Sequence, residues 1–299
     1  MTERKKAFVQ IVLCVFFWGI SFVSIKSALP VYPPMSLGML RFAIAALALH
    51  LFKRRAEKKA GKSEKLERRD LPILIAASVC GVTLYFFFEN NGVKRVTVSE
   101  AAIITGAIPV ITLAAEALFL RRSVLKRQWL GAVTSIAGVV LVCGVSLAIS
   151  GSYAGYLFMS AAVICWILYG FATPALFSRH SRIYVVYWQT MFGFAGFVPF
   201  AVPEMSGWGS PNLEVWLHIV FLGLACSALG YCFYARSLET LGVSISALFI
   251  NFIPVISIIA GVFVMGDIFL PLQWLGAVLV ILGLYIAVGF VPADQRKTG

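Results

Sequence analysis

Charged side chains are scarce in this chain. Asp, Glu, Lys and Arg make up 13% of the 299 residues, and only 13 residues are acidic. An ordinary soluble domain carries roughly twice that charged share. Hydrophobic residues make up 60%. A chain of this composition cannot cover its apolar residues with a charged surface, so a water-soluble globule is excluded and a membrane-embedded protein is predicted.

Patterns that support catalysis, metal binding or disulfides are also missing. The three histidines, His50, His180 and His218, lack HExxH spacing, and neither a GxSxG motif nor a phosphate-binding loop occurs. All six cysteines fall in apolar segments without a CxxC pair, where cysteines are typical packing residues. These absences argue against an enzyme, with an embedded membrane enzyme kept as the alternative. They also predict no metal and no cofactor.

Long apolar runs dominate what remains. A helix needs about 20 apolar residues to cross a hydrocarbon core about 30 Å thick. The sequence therefore predicts an all-α membrane protein with ten transmembrane helices. Their approximate centres are Phe17, Ala43, Val79, Pro109, Ala137, Val163, Phe194, Leu224, Pro254 and Val280.

The basic residues predict the orientation of these helices. Of the 25 Lys and Arg residues, 21 fall in the termini and in alternate loops, on one side. By the positive-inside rule that side and both termini face the cytoplasm, in a multi-pass protein of the cell (inner) membrane. The net charge of +12 is then explained by topology and contact with anionic membrane lipids, and no nucleic-acid partner is predicted.

Two segments of the chain recur at one fixed offset. Gln128–Val133 returns as Gln273–Val278, and Ile108–Ile111 returns as Ile253–Ile256, in both cases 145 residues later. Matches of proline, tryptophan and glycine in one unbroken register indicate a duplicated membrane protein.

The number of spans in each copy is odd. The predicted domains are residues 1–148 and 149–299, with five helices each, so each helix of the second copy crosses the membrane in the opposite sense from its mate. Inverted repeats of this kind let one packing arrangement open once to each side, which is the geometric basis of alternating access. A transporter is therefore predicted.

The repeated motifs carry a family resemblance. The Ile-Pro-Val-Ile helix, the Gln-Trp-Leu-Gly-Ala segment after it, and Glu89–Val93 followed by Val98–Ala102 resemble the EamA-like branch of the drug/metabolite transporter superfamily. The resemblance implies a central cavity between the first, third, fourth, sixth, eighth and ninth helices. It also implies peripheral fifth and tenth helices, which often mediate dimer contact in relatives, so a homodimer is an open alternative. Relatives move amino acids, other metabolites or cationic drugs, mostly outward.

Aromatic residues provide the first candidate substrate site. The first and sixth spans pair at an offset of 148, which sets Trp18 and Ser21 opposite Trp166 and Tyr169. Trp18 and Ser21 lie on one face of the first span, and Trp166 and Tyr169 lie on one face of the sixth. Such rings could hold an apolar, aromatic or cationic substrate through contacts worth about 0.5–2 kcal/mol each, or serve as bulky packing. Four aromatic residues on the third and eighth helices extend the same hypothesis: Tyr85, Phe86, Tyr231 and Tyr234.

Polar residues inside apolar spans provide the second candidate set. Glu89 and Glu100 are candidate partners for a substrate ammonium or for a proton, since a carboxylate at membrane depth is costly. Arg41 interrupts the second span and is a candidate for a substrate carboxylate, or a structural donor to neighbouring helices. Thr105 and Asn251 are uncharged candidates, with helix-to-helix hydrogen bonding as the alternative.

Two prolines occupy equivalent positions in the copies. Pro109 and Pro254 each remove a backbone donor and permit a bend, so they are predicted to be paired hinges or kinks beside the cavity.

Two classes of cargo remain open. An amino acid needs a partner for its carboxylate, such as Arg41, and one for its ammonium, such as Glu100, whereas a lipophilic or quaternary cation needs only rings and one acid. Because both signs of charge are present, the sequence favours a small-molecule substrate that is an amino acid or a related zwitterion. Proton coupling through Glu100 and passive facilitation stay open.

Overall fold

The computed structural model describes residues 2–61, 63–96, 98–143, 152–265 and 270–288, and within these ranges it contains helices and no strand. The α-helices are α1 (Glu3–Ala28), α2 (Pro34–Ala60), α3 (Leu71–Ser78), α4 (Tyr85–Val93), α5 (Val98–Gly106), α6 (Ile108–Leu118), α7 (Lys126–Cys143), α8 (Tyr153–Ala172), α9 (Arg182–Ala201), α10 (Leu213–Phe221), α11 (Gly230–Leu241), α12 (Val243–Ile250), α13 (Phe252–Met265) and α14 (Pro271–Val288).

Several of these helices join end to end into longer, continuous apolar helical segments. Seven continuous helical segments in the described ranges are long and apolar enough to cross a membrane, and two shorter apolar helices, Ile103–Leu118 and Val243–Ser257, accompany them. Large apolar side chains cover the outside, among them Leu47 at 65% exposure and Phe119 at 82%. The helical membrane fold is thus confirmed, while the count of ten and the orientation of the termini stay predictions.

The helices α7 and α14 pack at backbone contact through four glycines. A Cβ added at Gly138 would lie 2.6 Å from the carbonyl oxygen of Gly276, and a Cβ added at Gly131 would lie closer still to the carbonyl oxygen of Gly283. The residue numbers of these pairs run in opposite directions, so the two helices are antiparallel. The shift of 145 residues turns each pair into the other, so the two sequence mates cross on a local two-fold axis. Small residues allow this approach.

Wide π-helical turns lie in the third and eighth predicted spans. Val79–Leu84 joins α3 to α4, and Leu222–Leu229 joins α10 to α11. The backbone N–H of Tyr85 donates to the Cys80 carbonyl, and that of Gly230 donates to the Ala225 carbonyl. Donors and acceptors are again related by 145 residues. Single π turns within α-helices are frequent at functional sites.

Both helices that carry the Ile-Pro-Val-Ile motif are interrupted next to the proline. The helix α5 ends at Gly106 and α6 starts at Ile108, and α12 ends at Ile250 with α13 starting at Phe252. A proline ring clashes with the carbonyl four residues earlier and offers no N–H, which accounts for a break at this point. The structure therefore places a helix discontinuity beside Pro109 and beside Pro254, while their action as hinges stays a prediction.

Candidate functional site

Six aromatic side chains meet at the centre of the largest hydrophobic core and are called the aromatic box here. The rings of Trp18 and Trp166 are edge-on with centroids 5.5 Å apart. Tyr234 lies 5.5 Å from the first ring and 5.2 Å from the second. The structure thus brings together residues that the sequence selected on separate helices. The members are Trp18, Tyr85, Trp166, Tyr169, Tyr231 and Tyr234.

Helical periodicity and the π turns position these rings. Trp166 and Tyr169 project from one face of α8, and Tyr231 and Tyr234 from one face of α11, because residues three apart share a face. Tyr85 is the first residue after the first π turn, and its ring centroid lies 5.0 Å from that of Trp166. The box therefore joins α1, α4, α8 and α11.

Two polar atoms of the box bond to carbonyls of the π turns. Trp18 Nε1 donates to the Cys226 carbonyl over 3.0 Å, and the Tyr231 hydroxyl donates to the Gly81 carbonyl over 2.9 Å. Gly81 and Cys226 are themselves 145 residues apart. Equivalent carbonyls of the two copies thus anchor one side chain each.

Two other polar atoms of the box have no hydrogen-bond partner among the described residues. They are Trp166 Nε1 and the Tyr169 hydroxyl, on side chains that are 5% and 0% exposed. The Tyr234 hydroxyl lies beside Trp166 Nε1 and the Thr173 hydroxyl lies beside that of Tyr169, but neither contact has hydrogen-bonding geometry. Buried donors are almost always paired, so two adjacent orphans are unusual.

Opposite charges lie beside the box. Glu89 accepts a hydrogen bond from the Tyr85 hydroxyl over 2.7 Å. Arg41 is 5% exposed, its Nε donates to Ser227 over 2.8 Å, and its guanidinium lies 5.1 Å from the Phe86 ring centroid. The two charges interact electrostatically without an ion pair within 4 Å. Each charge therefore keeps capacity for another partner.

The remaining candidates have local or interhelical partners. The Ser21 hydroxyl donates to the Trp18 carbonyl, and Thr105 donates to the Ala101 carbonyl. Asn251, 1% exposed, donates to Ser135 at the break between α12 and α13. The side chain of Glu100 lies outside the described residues. None of these contacts decides a substrate role.

An open cavity of about 320 Å³ lies outside this site. It lies between α2 and α9 and is lined by apolar residues together with His50 and Tyr187. His50 Nδ1 and the Tyr187 hydroxyl oxygen are 3.3 Å apart. It shares no residue with the aromatic box. Among the described residues, no group of three His, Cys, Asp or Glu could hold a metal ion.

Sequence reasoning missed the backbone part of the site. The Gly81 and Cys226 carbonyls depend on π turns, for which no residue pattern gives a signal. Ser227, the partner of Arg41, lies in the same apolar run as Cys226 and carries no motif. A serine facing a lone arginine across two helices becomes recognisable only when the helices are packed.

Comparison with known proteins agrees with this architecture. A model of the EamA-like transporter family matches residues 5–144 and 153–289. An uncharacterized transporter of Archaeoglobus fulgidus is 27% identical over 287 residues, covering 95% of this chain and 99% of the relative. A probable terminal-alkyne amino-acid exporter of Streptantibioticus cattleyicolor is 25% identical, covering 95% and 94%. A solved protein structure matches with a TM-score of 0.77 at 20% identity, covering 95% and 97%.

The family match spans almost the entire chain and occurs twice, once in each half of the repeat. Together with the apolar helices, it identifies the chain as a multi-pass membrane transporter of the EamA-like transporter family, within the drug/metabolite transporter superfamily.

Proposed function

We propose that this transporter exports amino acids or related zwitterions by alternating access. The observation that carries the proposal is the pair of opposite charges beside the aromatic box, Arg41 and Glu89, each held by one neutral side chain and not joined to each other in an ion pair within 4 Å. In the proposed complex, Glu89 binds the substrate ammonium, the positive field of Arg41 favours the carboxylate, and the rings contact the side chain.

Energetics support a substrate with both charges. Each ionised side chain at the centre of a membrane helix costs about 2.5–3.5 kcal/mol on insertion scales. Arg41 and Glu89 are each held by one neutral side chain, Ser227 and Tyr85, which offsets only part of that cost. A zwitterion lying between them would complete both interactions, and a cation–π contact adds about 0.5–2 kcal/mol.

The pseudo-symmetric contacts support alternating access. The glycine contacts between α7 and α14 and the paired π turns each map onto themselves or onto each other under the shift of 145 residues. Contacts made by one copy can therefore be made by the other, which gives two arrangements related by a pseudo-two-fold rotation. The rings of the box are at contact distance, so substrate entry requires α1 and α8 to separate. Broken helices beside Pro109 and Pro254 are suited to absorb that movement.

The proposal also includes an energy source and a location. Glu89 and Glu100 are proposed proton acceptors, so that outward movement of substrate is exchanged for inward movement of protons across the cell membrane. The relative described as a probable terminal-alkyne amino-acid exporter supports amino-acid cargo.

Counterflow in liposomes tests the proposal. Purified protein is reconstituted with unlabelled L-leucine or L-phenylalanine inside, and uptake of the labelled amino acid is followed. We expect saturable uptake by the wild type and no uptake by the double variant Trp18→Ala/Trp166→Ala. Absence of exchange for a broad amino-acid panel would contradict the proposal.

A lipophilic cation is the second candidate cargo, because six rings and one carboxylate are sufficient to bind it. The same liposomes loaded with a quaternary ammonium compound separate the two. Exchange of the cation without exchange of any amino acid would favour drug efflux.

A further inference from the structure

The indole N–H of Trp166 is a buried donor with no partner in hydrogen-bonding geometry among the described residues. Its counterpart in the other copy, Trp18, donates to the Cys226 carbonyl. The equivalent acceptor for Trp166 is the Gly81 carbonyl, which lies 145 residues before Cys226. The Tyr231 hydroxyl already donates to that carbonyl. The local two-fold symmetry is thus broken at one hydrogen bond.

A single residue pair causes this asymmetry. The sequence mate of Tyr231 is Phe86, which has no hydroxyl and cannot compete for the Cys226 carbonyl. Trp18 therefore keeps its acceptor while Trp166 does not. An indole N–H is a donor only, so the group can be satisfied by an acceptor and by nothing else.

The Tyr169 hydroxyl is the second unsatisfied donor, one helical turn from Trp166 on the same face of α8. The two rings are 5.3 Å apart. Tyr169 is fully buried, and its hydroxyl has no partner in hydrogen-bonding geometry among the described residues. The neighbouring Thr173 hydroxyl accepts from Gln189 Nε2 over 2.9 Å and does not meet the Tyr169 hydroxyl in hydrogen-bonding geometry. Two buried donors without a partner in the described part of the chain thus lie on neighbouring rings of one helical face.

We infer that Trp166 Nε1 and the Tyr169 hydroxyl form a subsite that binds the carboxylate of the substrate. The inference rests on the proposed function and deepens it. Arg41 stays bonded to Ser227 and attracts the carboxylate through its field, whereas the two neutral donors make the direct hydrogen bonds. A buried donor without a partner costs free energy, and a hydrogen bond to a charged acceptor recovers that cost. The subsite therefore favours a substrate that has a carboxylate over an analogue that lacks one.

Variants that delete one donor and keep the ring test the subsite. Competition against L-leucine counterflow is measured with unlabelled L-leucine and with isoamylamine, the amine that lacks the carboxylate. In Trp166→Phe and in Tyr169→Phe, the preference for the amino acid over the amine is expected to fall about tenfold or more. Phenethylamine and L-phenylalanine repeat the comparison.

Trp18→Phe is the matched control, since the N–H removed there is satisfied by the protein. This variant is expected to weaken both compounds alike and to keep the preference. Tyr231→Phe gives a further check, because it leaves Trp166 intact and frees the Gly81 carbonyl as an internal acceptor. The preference is expected to fall in Tyr231→Phe as in Trp166→Phe.

A binding readout without transport separates the two proposals. With ¹⁵N-labelled tryptophan, the indole resonance lost in Trp166→Phe is expected to shift on addition of L-leucine or L-phenylalanine and to stay in place with either amine. Unchanged preference in the donor-deleted variants, or an indole resonance that ignores both amino acids, would overturn the subsite while leaving amino-acid exchange by the wild type intact. Absence of amino-acid exchange by the wild type would contradict the proposed function. In that case the response of the Trp166 indole resonance to amino acids would by itself test the subsite.

Discussion

At the residue scale, the protein keeps two charged side chains beside a cluster of aromatic rings. Arg41 and Glu89 each have one neutral hydrogen-bond partner, although a carboxylate and a guanidinium have more lone pairs and donors than one partner can use. Incomplete satisfaction of costly groups is typical of sites that complete their bonding with a ligand.

Replacing Glu89 with Gln is expected to reduce amino-acid counterflow at least tenfold. The substitution removes the charge proposed to bind the substrate ammonium and keeps an acceptor for the Tyr85 hydroxyl, so folding is expected to be unaffected. Initial uptake rates at several substrate concentrations measure the effect.

The control for this variant is Glu214→Gln, since the Glu214 side chain is 72% exposed and lies 3.8 Å from His218 Nε2, outside the aromatic box. It is expected to transport as the wild type does. Equal rates in wild type and Glu89→Gln would remove Glu89 from the site and leave Glu100 as the candidate acid.

At the element scale, symmetric backbone features hold the two copies together. The helices α7 and α14 touch through glycines, and the two π turns carry equivalent backbone hydrogen bonds. Such features respond to the addition of one methyl group, because a helix backbone cannot move without shifting the side chains of the whole interface.

Gly138→Ala is expected to destabilise the protein by about 1–3 kcal/mol, the usual cost of overpacking. The added Cβ would lie 2.6 Å from both the Gly276 carbonyl oxygen and the Val280 backbone nitrogen. Thermal unfolding in detergent, followed by circular dichroism, measures the loss. Gly209→Ala is the control, because the nearest atom to its Cβ is 3.6 Å away; an equal loss in both variants would contradict the packing argument.

Pro109→Ala and Pro254→Ala are expected to slow transport by straightening the broken helices. Restored backbone hydrogen bonds would stiffen the junctions α5–α6 and α12–α13, so the exchange rate is expected to fall more than substrate affinity. Counterflow kinetics give both quantities. Pro199→Ala serves as the comparison, since Pro199 lies inside α9 and has no proline mate in the other copy. Three variants with one common rate would refute the paired-hinge hypothesis.

At the scale of the whole molecule, orientation decides which way each half opens. The basic loops carry the orientation signal. An inward-facing arrangement becomes outward-facing when the two copies exchange conformations, so the sidedness of the loops defines the side of the membrane to which each arrangement opens.

Single introduced cysteines are expected to report that sidedness. Ser123→Cys lies in a basic loop and is expected to be shielded from a membrane-impermeant thiol reagent in intact cells, whereas Gly209→Cys is expected to react. The wild-type protein, whose six cysteines lie in apolar segments, measures the background. Labelling of Ser123→Cys before permeabilisation would reverse the proposed topology.

The amino-acid sequence by itself determined the membrane class, the duplication and the family. Hydropathy and repeated motifs are local properties of the chain. The length of an apolar run indicates a membrane span, and the repetition of residues such as Pro109 and Gly138 indicates the duplication, whatever these residues contact in the fold. Helical periodicity even placed Trp166 and Tyr169 on one face. These inferences need no knowledge of which helices touch.

Tertiary structure alone decided which polar groups are paired. Arg41 is bonded to Ser227, and Tyr231 occupies the Gly81 carbonyl, because π turns in two distant segments rotate those atoms toward the centre. No residue pattern fixes such a turn, since its energy depends on the packing around it. The orphan donor of Trp166 exists only as the consequence of that competition between helices.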